Sequence, residues 1–319
     1  MIGQDVWRHQ GIDGLYSSRI PTLSGMIEYF QALDALDRHT TTAAAGTALR
    51  LSQSAVSKRI AALEAHLGYA VTERRGRGVE FTPAGRRLLA RVRPLLGELR
   101  DIVKAEGDAE DSTILTLGVS ESILASWGAD SLRRAMDSVP QVHVEIHTHR
   151  SPVVVDRVCS GEYMLGLCAG VADAPADLAV QTVAREPMVL IPSGLLPLRQ
   201  RRGLAIVTIE EHAATWPSIA RGVRAAGFEV QARVESFSAI ARMAVAGLGH
   251  GLVPVGIAHA AGLAADQYRI SSRARISRPV SIIGRKSVVS RAPTSAFVEQ
   301  LAALTDEAVA SLAGVRRRT

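Results

Sequence analysis

One segment, TTAAAGTALRLSQSAVSKRIAALEAHLG at residues 41–68, restricts the fold of this chain more than any other. Its apolar residues recur at helical spacing in two short blocks, and only Arg50 and Leu51 separate the blocks. The pattern predicts two helices joined by a tight turn, a helix-turn-helix. In the second block the apolar residues recur at i, i+4, i+7 and i+11 and share one buried stripe: Val56, Ile60, Leu63 and Leu67.

The face opposite this stripe is polar and cationic in its first turns. Those positions of a recognition helix usually reach base edges and phosphates in a DNA groove. Thr41 and Ser52 are N-cap candidates for the two helices. An ordinary helical hairpin is the alternative for a segment so rich in alanine. The predicted DNA-contacting residues here are Thr41, Gln53, Ser54, Ser57 and Lys58.

Residues 69–81 read as strand, basic turn and strand, which predicts a wing. Its glycines suit the positive φ of a turn, and Arg74, Arg75 and Arg77 can lie on phosphates or enter a minor groove. Between residues 38 and 93, eleven basic residues face three acidic ones, a net charge of +8, whereas the whole chain carries +6. Charge concentrated on one module is typical of nucleic-acid binding, and a solvated basic face is the alternative.

A further helix is predicted from Thr82-Pro83, with proline at its first position. Its broad apolar stripe needs a partner. The same helix of a second copy would give a two-fold dimer with two reading heads, and packing against its own domain is the alternative. Pro94 interrupts this pattern. The stripe comprises Leu88, Leu89, Val92, Leu95, Leu96, Leu99, Ile102 and Val103.

Residues 23 to about 105 resemble the winged helix-turn-helix and linker helix of LysR-type transcriptional regulators. The matching pieces are the alanine-rich helix, LSQSAVSKRIAALEAHLG, the wing ending in FTPAG and the long helix after it. The resemblance implies a homodimer or homotetramer that binds double-stranded DNA near promoters and responds to a small molecule. It implies DNA contacts from Gln53, Ser54, Ser57, Lys58 and Arg74. Thr42 and Thr72 stand where the family usually has phenylalanine, and Ser54 where it often has proline.

The length of 319 residues, 47% of them hydrophobic, predicts two or three domains. Residues 1–22 show neither a signal-peptide pattern nor a transmembrane length, so a cytoplasmic protein without membrane contact is expected. An acidic stretch at 106–112 marks a boundary. The predicted parts are an N-terminal extension (1–22), the winged helix-turn-helix (23–82), a linker and dimerisation helix (83–106) and an effector-binding domain (112–313).

Beyond residue 112, strands and helices alternate as in an α/β sandwich with largely parallel sheets. Strands are expected at 113–119, 142–148, 164–169, 178–191, 216–220, 230–234 and 278–284, and the HGLVPV segment is strand-like as well. The segment AVAGLGHGLVPVGIA resembles the effector domain of the same family, which has the fold of type 2 periplasmic binding proteins. The fold class is therefore α+β multidomain. The resemblance implies one lobe at about 112–190 with 276–313, another at about 191–275, and a ligand cleft between them.

Such a cleft favours a small anionic effector, possibly a carboxylate. Helices that start directly after parallel strands direct free N–H groups at the crevice, and arginine can pair with a carboxylate bidentately. The alternative is that each serine merely caps its helix and each arginine is solvated. The predicted effector-binding residues are Ser120, Ser122, Arg150, Ser151, Arg221, Phe237 and Ser238.

Other patterns predict no catalytic, metal or cofactor site. His143, Glu145, His147 and His149 alternate on one strand face, where two histidines could bind zinc, but an exposed or subunit-paired strand gives the same alternation. The two cysteines, Cys159 and Cys168, are more typical of small buried hydrophobes than of a redox switch. No GxSxG, HExxH, Walker or Rossmann pattern occurs.

The sequence thus predicts a sequence-specific transcriptional regulator whose DNA binding a small molecule modulates. Two alternatives remain open at this point. One is a small-molecule-binding or enzymatic α/β protein with an appended helical module. The other is an architectural DNA-binding protein whose second half only oligomerises and needs no effector.

Overall fold

A computed structural model describes residues 23–75, 78–107, 113–171, 174, 178–197, 203–270 and 275–314. The chain divides into two compact units between Leu96 and Gly97, inside one long helix. The predictions for residues 1–22 and for Arg77 fall outside the described residues. The assignment of 83–106 to dimerisation stays a prediction.

The first unit has the predicted winged helix-turn-helix. Arg50 adopts a left-handed conformation (φ 55°) that ends the second helix, and the Leu51 N–H donates to the Gly46 carbonyl at 2.8 Å. The next helix begins at Ser52, whose hydroxyl accepts the Ala55 N–H at 3.1 Å. The elements are α1 (Leu23–His39), α2 (Thr42–Leu49), α3 (Gln53–Leu67), the antiparallel strands β1 (Thr72–Arg75) and β2 (Gly78–Phe81), and α4 (Pro83–Gly107).

The core of this unit is built from the predicted α3 stripe. Val56, Ile60 and Leu63 are buried together with Leu33 and Leu36 of α1, whereas Leu67 is half-buried. Removing these side chains from water supplies most of the stability of such a small helical module, because short helices are marginal alone.

The long helix α4 is bonded to α1. Arg93 of α4 donates from Nε to Asp34 of α1 at 2.8 Å and from Nη2 to Asp37 at 2.5 Å. Asp34 is buried and also accepts from Arg38 at 3.0 Å. The helix continues through Pro94, so the interruption indicated by the sequence does not end it.

The second unit is a mixed sheet with helices packed against it. Its strands are β3 (Thr113–Ser120), β4 (Val142–His149), β5 (Leu165–Ala169), β6 (Leu178–Ile191), β7 (Leu204–Ile209), β8 (Phe228–Val234), β9 (His250–Pro254), β10 (Arg269–Ile270) and β11 (Ser277–Arg285). Its helices are α5 (Glu121–Ile123), a π-helical turn (Leu124–Gly128), α6 (Ala129–Ser138), α7 (Ser151–Cys159), α8 (Trp216–Ala225), α9 (Phe237–Val245), α10 (Val255–Ala260), α11 (Lys286–Val289) and α12 (Thr294–Leu312), with a 3-10 turn at Ser193–Leu195.

The strand order is β4-β3-β5-β11-β6-β9-β7-β8, with β10 paired to β6. β3 is parallel to β4 and β5, and β7 is parallel to β8 and β9. The sheet is therefore mixed rather than largely parallel, because β11 pairs antiparallel with β5 and β6, and β6 pairs antiparallel with β9.

The two largest hydrophobic cores of this unit flank the long strands β6 and β11. One core draws on β3, β5, α6 and α12, and the other on β7, β9, α8 and α9. β6 contributes to both cores, with Ala184 in the first and Ile191 in the second. We call the region around the first core lobe 1 and the region around the second core lobe 2.

One sequence prediction in lobe 2 is wrong, and the strand β7 of that lobe was not predicted. The strand expected at 216–220 is the first half of α8, because Pro217 occupies the first turn, where its fixed φ favours a helix start. The strand β7 was missed because its short run LAIVTI lacks the alternation of a half-buried strand. Four of its six residues at the carboxyl end are buried in a row.

Candidate DNA-binding surface and effector cleft

The outer face of α3 carries the predicted DNA-contacting residues. Gln53, Ser54, Ser57 and Lys58 are all exposed, opposite the buried stripe. Thr41 is exposed as well, and its hydroxyl accepts the Ala44 N–H at 3.1 Å as the cap of α2. The arrangement leaves a polar, singly cationic surface with the shape that a DNA major groove admits.

The wing adds positive charge beside this helix. Arg74 and Arg75 are exposed on β1. Arg75 donates to Glu80 at 2.9 Å, and this hydrogen bond raises the pKa of the guanidinium. The side chain of Arg74 makes no hydrogen bond or ion pair within the described part of the chain, and neither does the side chain of Arg50 at the turn between the helices. Arg50 is not among the residues predicted to contact DNA, although its place in the turn is a signal for phosphate contact.

A glutamate that the sequence analysis did not single out fixes the start of the wing. Glu64 of α3 accepts the backbone N–H groups of Val71 and Thr72, both at 2.9 Å. It also accepts the Thr72 hydroxyl at 3.0 Å. Thr72, where the family usually has phenylalanine, is thus held by a polar contact rather than by aromatic packing.

A cleft lies between the lobes where their parallel strands end. In lobe 1 the strands β3, β4 and β5 end at Ser120, His149 and Ala169. In lobe 2 the strands β7 and β8 end at Ile209 and Val234. Carboxyl ends of parallel strands are the usual place for a ligand in an α/β sheet. The cavity at this point measures about 60 Å³, smaller than the roughly 300–1,000 Å³ seen for small-molecule sites.

The floor of the cleft is a cluster of buried hydroxyls around Ala169. Ser120 and Ser151 lie 2.5 Å apart (Oγ to Oγ), and the Ala169 N–H donates to Ser151 at 3.1 Å and to Ser120 at 3.3 Å. The Ala169 carbonyl accepts the hydroxyls of Ser151 at 3.1 Å and Thr215 at 3.2 Å. Thr215 belongs to lobe 2, so this frame joins the two lobes.

Beneath the cleft lies a fully buried ion pair. Arg278 of β11 donates to Glu186 of β6 from Nε at 2.9 Å and from Nη2 at 2.7 Å. The other Glu186 oxygen accepts from Trp127 of lobe 1 and from the Gly256 N–H of lobe 2, both at 3.1 Å. The third Arg278 nitrogen, Nη1, donates to Ser122 at 2.7 Å.

The charged groups at the mouth of the cleft are Arg150, Glu235 and Glu121. Arg150 of lobe 1 donates to Glu235 of lobe 2 at 2.8 Å, and both side chains are partly exposed. The Ser238 hydroxyl of lobe 2 lies 3.5 Å from the Glu121 carboxylate of lobe 1.

Five of the seven predicted effector-binding residues line the cleft: Ser120, Ser122, Arg150, Ser151 and Phe237. Ser238 reaches the cleft only through Glu121. Arg221 is not among the lining residues, because it lies within α8 rather than at a strand end. The lining residues that the sequence did not predict are Glu121, Pro152, Ala169, Ile209, Ala213, Ala214, Thr215 and Glu235. Glu121 and Glu235 directly follow strand ends and could have been found by that rule.

The histidine-rich strand forms contacts other than metal ligation. His147 stacks on Tyr163 with centroids 4.9 Å apart, and His149 Nε2 lies 2.9 Å from the Tyr163 hydroxyl. Burial lowers the pKa of His149, and nearby Arg157 adds to that effect. Among the described residues, Glu210, His212 and Glu235 are a group with possible ligand atoms within 4.8 Å, but Glu235 already pairs with Arg150.

The cysteines differ in burial. Cys168 in β5 is fully buried, and burial raises the pKa of its thiol to about 12. Because the thiolate is the reactive form, Cys168 is inert near neutral pH. Cys159 is half-buried.

The model of the LysR substrate binding domain matches residues 108–306, and that of the bacterial regulatory helix-turn-helix protein, lysR family, matches residues 27–86. The chain belongs to the LysR family. This LysR-family protein is a DNA-binding transcriptional regulator with an effector-binding domain, and it is not an enzyme. Of its described helices, none is both long and apolar enough to cross a membrane.

Known proteins resemble this LysR-family regulator over most of their length. An uncharacterized HTH-type transcriptional regulator of Vibrio cholerae is 28% identical over 277 residues, covering 86% of this chain and 95% of the relative. Full-length OxyR of Pseudomonas aeruginosa has a TM-score of 0.59 at 18% identity, covering 87% of this chain and 96% of that one. Full-length CbnR complexed with target DNA has a TM-score of 0.55 at 20% identity, covering 87% and 99%. These two structures share the fold.

Proposed function

We propose that this regulator binds promoter DNA as a homodimer or homotetramer in the cytoplasm and that a small molecule in the cleft modulates that binding. The observation that carries the proposal is the exposed polar face of α3, flanked by the arginines of the wing. Gln53, Ser54, Ser57 and Lys58 would contact bases and phosphates, and Thr41, Arg74, Arg75 and Arg77 would contact the DNA backbone.

The effector would carry a carboxylate or another anionic group. Ser122 supports this, because its oxygen already accepts from Arg278 while its own proton has no acceptor among the described residues. Arg150 supports it as well, since only one of its N–H groups is engaged. Binding between the lobes would change their closure and, through α4, the angle between the two reading heads.

The DNA-binding half is tested by titrating the purified full chain onto the DNA upstream of its own coding sequence across a salt series. Lys58→Ala is compared with Lys286→Ala, which removes an exposed lysine from the effector unit. We expect tight, salt-steep binding that Lys58→Ala weakens while lowering the slope of log K against log[salt] by about 1. Lys286→Ala should match the unmodified protein.

The same titration on a pool of DNA fragments from the whole genome tests for binding sites other than this upstream DNA. Uniformly weak binding across that pool would overturn the regulator proposal. An architectural protein without an effector would bind DNA but show no change of affinity or footprint with any cleft ligand, so that outcome would favour the architectural alternative.

A further inference from the structure

The cleft contains more negative than positive side chains. Of its lining residues, Glu121 and Glu235 are acidic and only Arg150 is basic. We propose that the effector is zwitterionic, with a carboxylate held by Ser122 and Arg150 and a cationic group held by Glu121 and Glu235. This inference rests on the proposed function, because it names the chemical class of ligand for the same cleft.

The hydroxyl frame does not act as an anion receptor. Each hydroxyl carries one proton, and those of Ser151 and Thr215 both lie within reach of the Ala169 carbonyl. The Ser120 proton can be donated to Ser151 at 2.5 Å. An anion would have to break one of these buried hydrogen bonds to gain a donor, so the frame positions the cleft rather than binding charge.

The hydrogen-bond donors still available in the cleft are the Ser122 hydroxyl and the Arg150 guanidinium. Arg278 donates to the Ser122 oxygen and polarises that hydroxyl, which strengthens it as a donor to an incoming carboxylate. The guanidinium of Arg150 has five N–H donors, and one is bonded to Glu235. These two groups provide one subsite that binds an anion.

The hydrogen-bond acceptors still available in the cleft are the carboxylates of Glu121 and Glu235, and they require a donor on the ligand. Among the described residues, the Glu121 carboxylate accepts only the long hydrogen bond of 3.5 Å from the Ser238 hydroxyl. Glu235 uses one oxygen on Arg150, which leaves the other available. Glu121 also lies in the first turn of the helical stretch formed by α5, the π-helical turn and α6, where a carboxylate stabilises the helix start.

Charge balance on closure decides between an anionic and a zwitterionic ligand. Glu121 belongs to lobe 1 and Glu235 to lobe 2, so closing the lobes moves both carboxylates around the ligand. A ligand with only a carboxylate would add a third negative charge and raise the electrostatic energy as water leaves. An ammonium or guanidinium group on the ligand cancels one of these negative charges, so a zwitterion leaves the closed cleft one unit less negative than a carboxylate does.

The test compares ligands that share one skeleton. The full chain is titrated at millimolar concentration with two matched triplets: phenylalanine, 3-phenylpropionate and phenethylamine; leucine, 4-methylvalerate and isoamylamine. Binding is followed by calorimetry and by the shift of Tm. We expect at least one member with both charges to bind about tenfold or more tightly than the matched members that lack either charge, because a hydrogen bond to a charged group contributes about that much.

Glu121→Gln removes one charge of the cationic subsite without changing its shape. It should reduce the preference for the zwitterion about tenfold, whereas Glu299→Gln, an exposed position on α12, should leave it unchanged. Equal or tighter binding of the carboxylates, no binding by any zwitterion, or an unchanged preference in Glu121→Gln would each overturn the inference. If DNA binding by the same preparation is intact, the regulator proposal survives that failure. If DNA binding is absent, the regulator proposal itself fails.

Discussion

Arg278 and Glu186 place two full charges where water does not reach them. Both side chains are 0% exposed, and Arg278 also lies over the ring of Phe237, 5.3 Å from its centroid. A buried pair of this kind adds little net stability compared with an apolar pair, but removing one partner leaves an uncompensated charge. The Glu186 carboxylate of this pair also accepts hydrogen bonds from Trp127 of lobe 1 and from the Gly256 N–H of lobe 2.

Replacement of Arg278 by methionine should therefore destabilise the second unit by roughly 3–5 kcal/mol. The measurement is urea unfolding followed by tryptophan fluorescence, since Trp127 contacts Glu186 directly. Arg134→Met is the control, because Arg134 pairs with Glu307 at the surface and such pairs contribute about 0–1 kcal/mol. Equal effects of the two substitutions would contradict the assigned role.

Neither member of this pair could be predicted from the sequence. They lie 92 positions apart, and each is flanked by residues that read only as parts of strands. Arg150 and Ser151 were predictable because they directly follow a strand. The rule of looking after strand ends also led to Arg221, and it failed there because the underlying strand is a helix.

At the scale of elements, the first turn of α4 determines how the wing meets the long helix. Thr82 donates its backbone N–H to Val71 at 3.1 Å and its hydroxyl to Ala70 at 2.9 Å, while accepting the Gly85 N–H at 3.0 Å. A Cβ atom on Gly85 would overlap the Val71 carbonyl oxygen. The glycine of FTPAG is thus required by a close backbone approach.

Gly85→Ala should lower the free energy of unfolding of the winged head by about 1–3 kcal/mol, the usual cost of overpacking. Circular dichroism of thermal unfolding measures this, and DNA affinity should fall with it. Ala90→Ser, at an exposed position of the same helix, is the control and should change the free energy by less than about 0.5 kcal/mol. A fully stable Gly85→Ala protein would show that the backbone can separate there without cost.

The head was easier to predict than the sheet for a physical reason. The period of α3 repeats over fifteen residues, and its caps and turn are local in sequence. The short apolar runs at 204–209 and 216–220 fit a buried strand or a helix equally well, so tertiary packing decides between them. The antiparallel directions of β6 and β11 likewise depend on long-range pairing.

At the scale of the whole molecule, α4 leaves apolar side chains uncovered. Leu95 is 58% exposed and Leu99 is 43% exposed in the single chain. Both belong to the stripe for which the sequence predicts a partner, and a second copy of this helix would supply matching apolar surface. A homodimer would then present two reading heads to two half-sites.

The double substitution Leu95→Glu with Leu99→Glu should raise the dissociation constant of the dimer at least about a hundredfold, because each buried leucine contributes roughly 1.5–3 kcal/mol. Sedimentation equilibrium measures it, and DNA affinity should fall in parallel. Leu248→Glu changes an equally exposed leucine of lobe 2 and is the control. An unchanged oligomer in the double variant would assign dimerisation to another surface.

In the ion pair between Arg150 and Glu235, the Glu235 carboxylate competes with an incoming carboxylate for the Arg150 guanidinium. An effector that takes Arg150 must share or displace a partner that is tethered and always present. Both side chains are partly exposed, so the exchange uses only a small part of the binding free energy, of the order of 0–1 kcal/mol. It nevertheless raises the ligand concentration at which the cleft is half filled. The response threshold of the regulator is therefore adjustable by a residue pair that touches neither DNA nor the buried core.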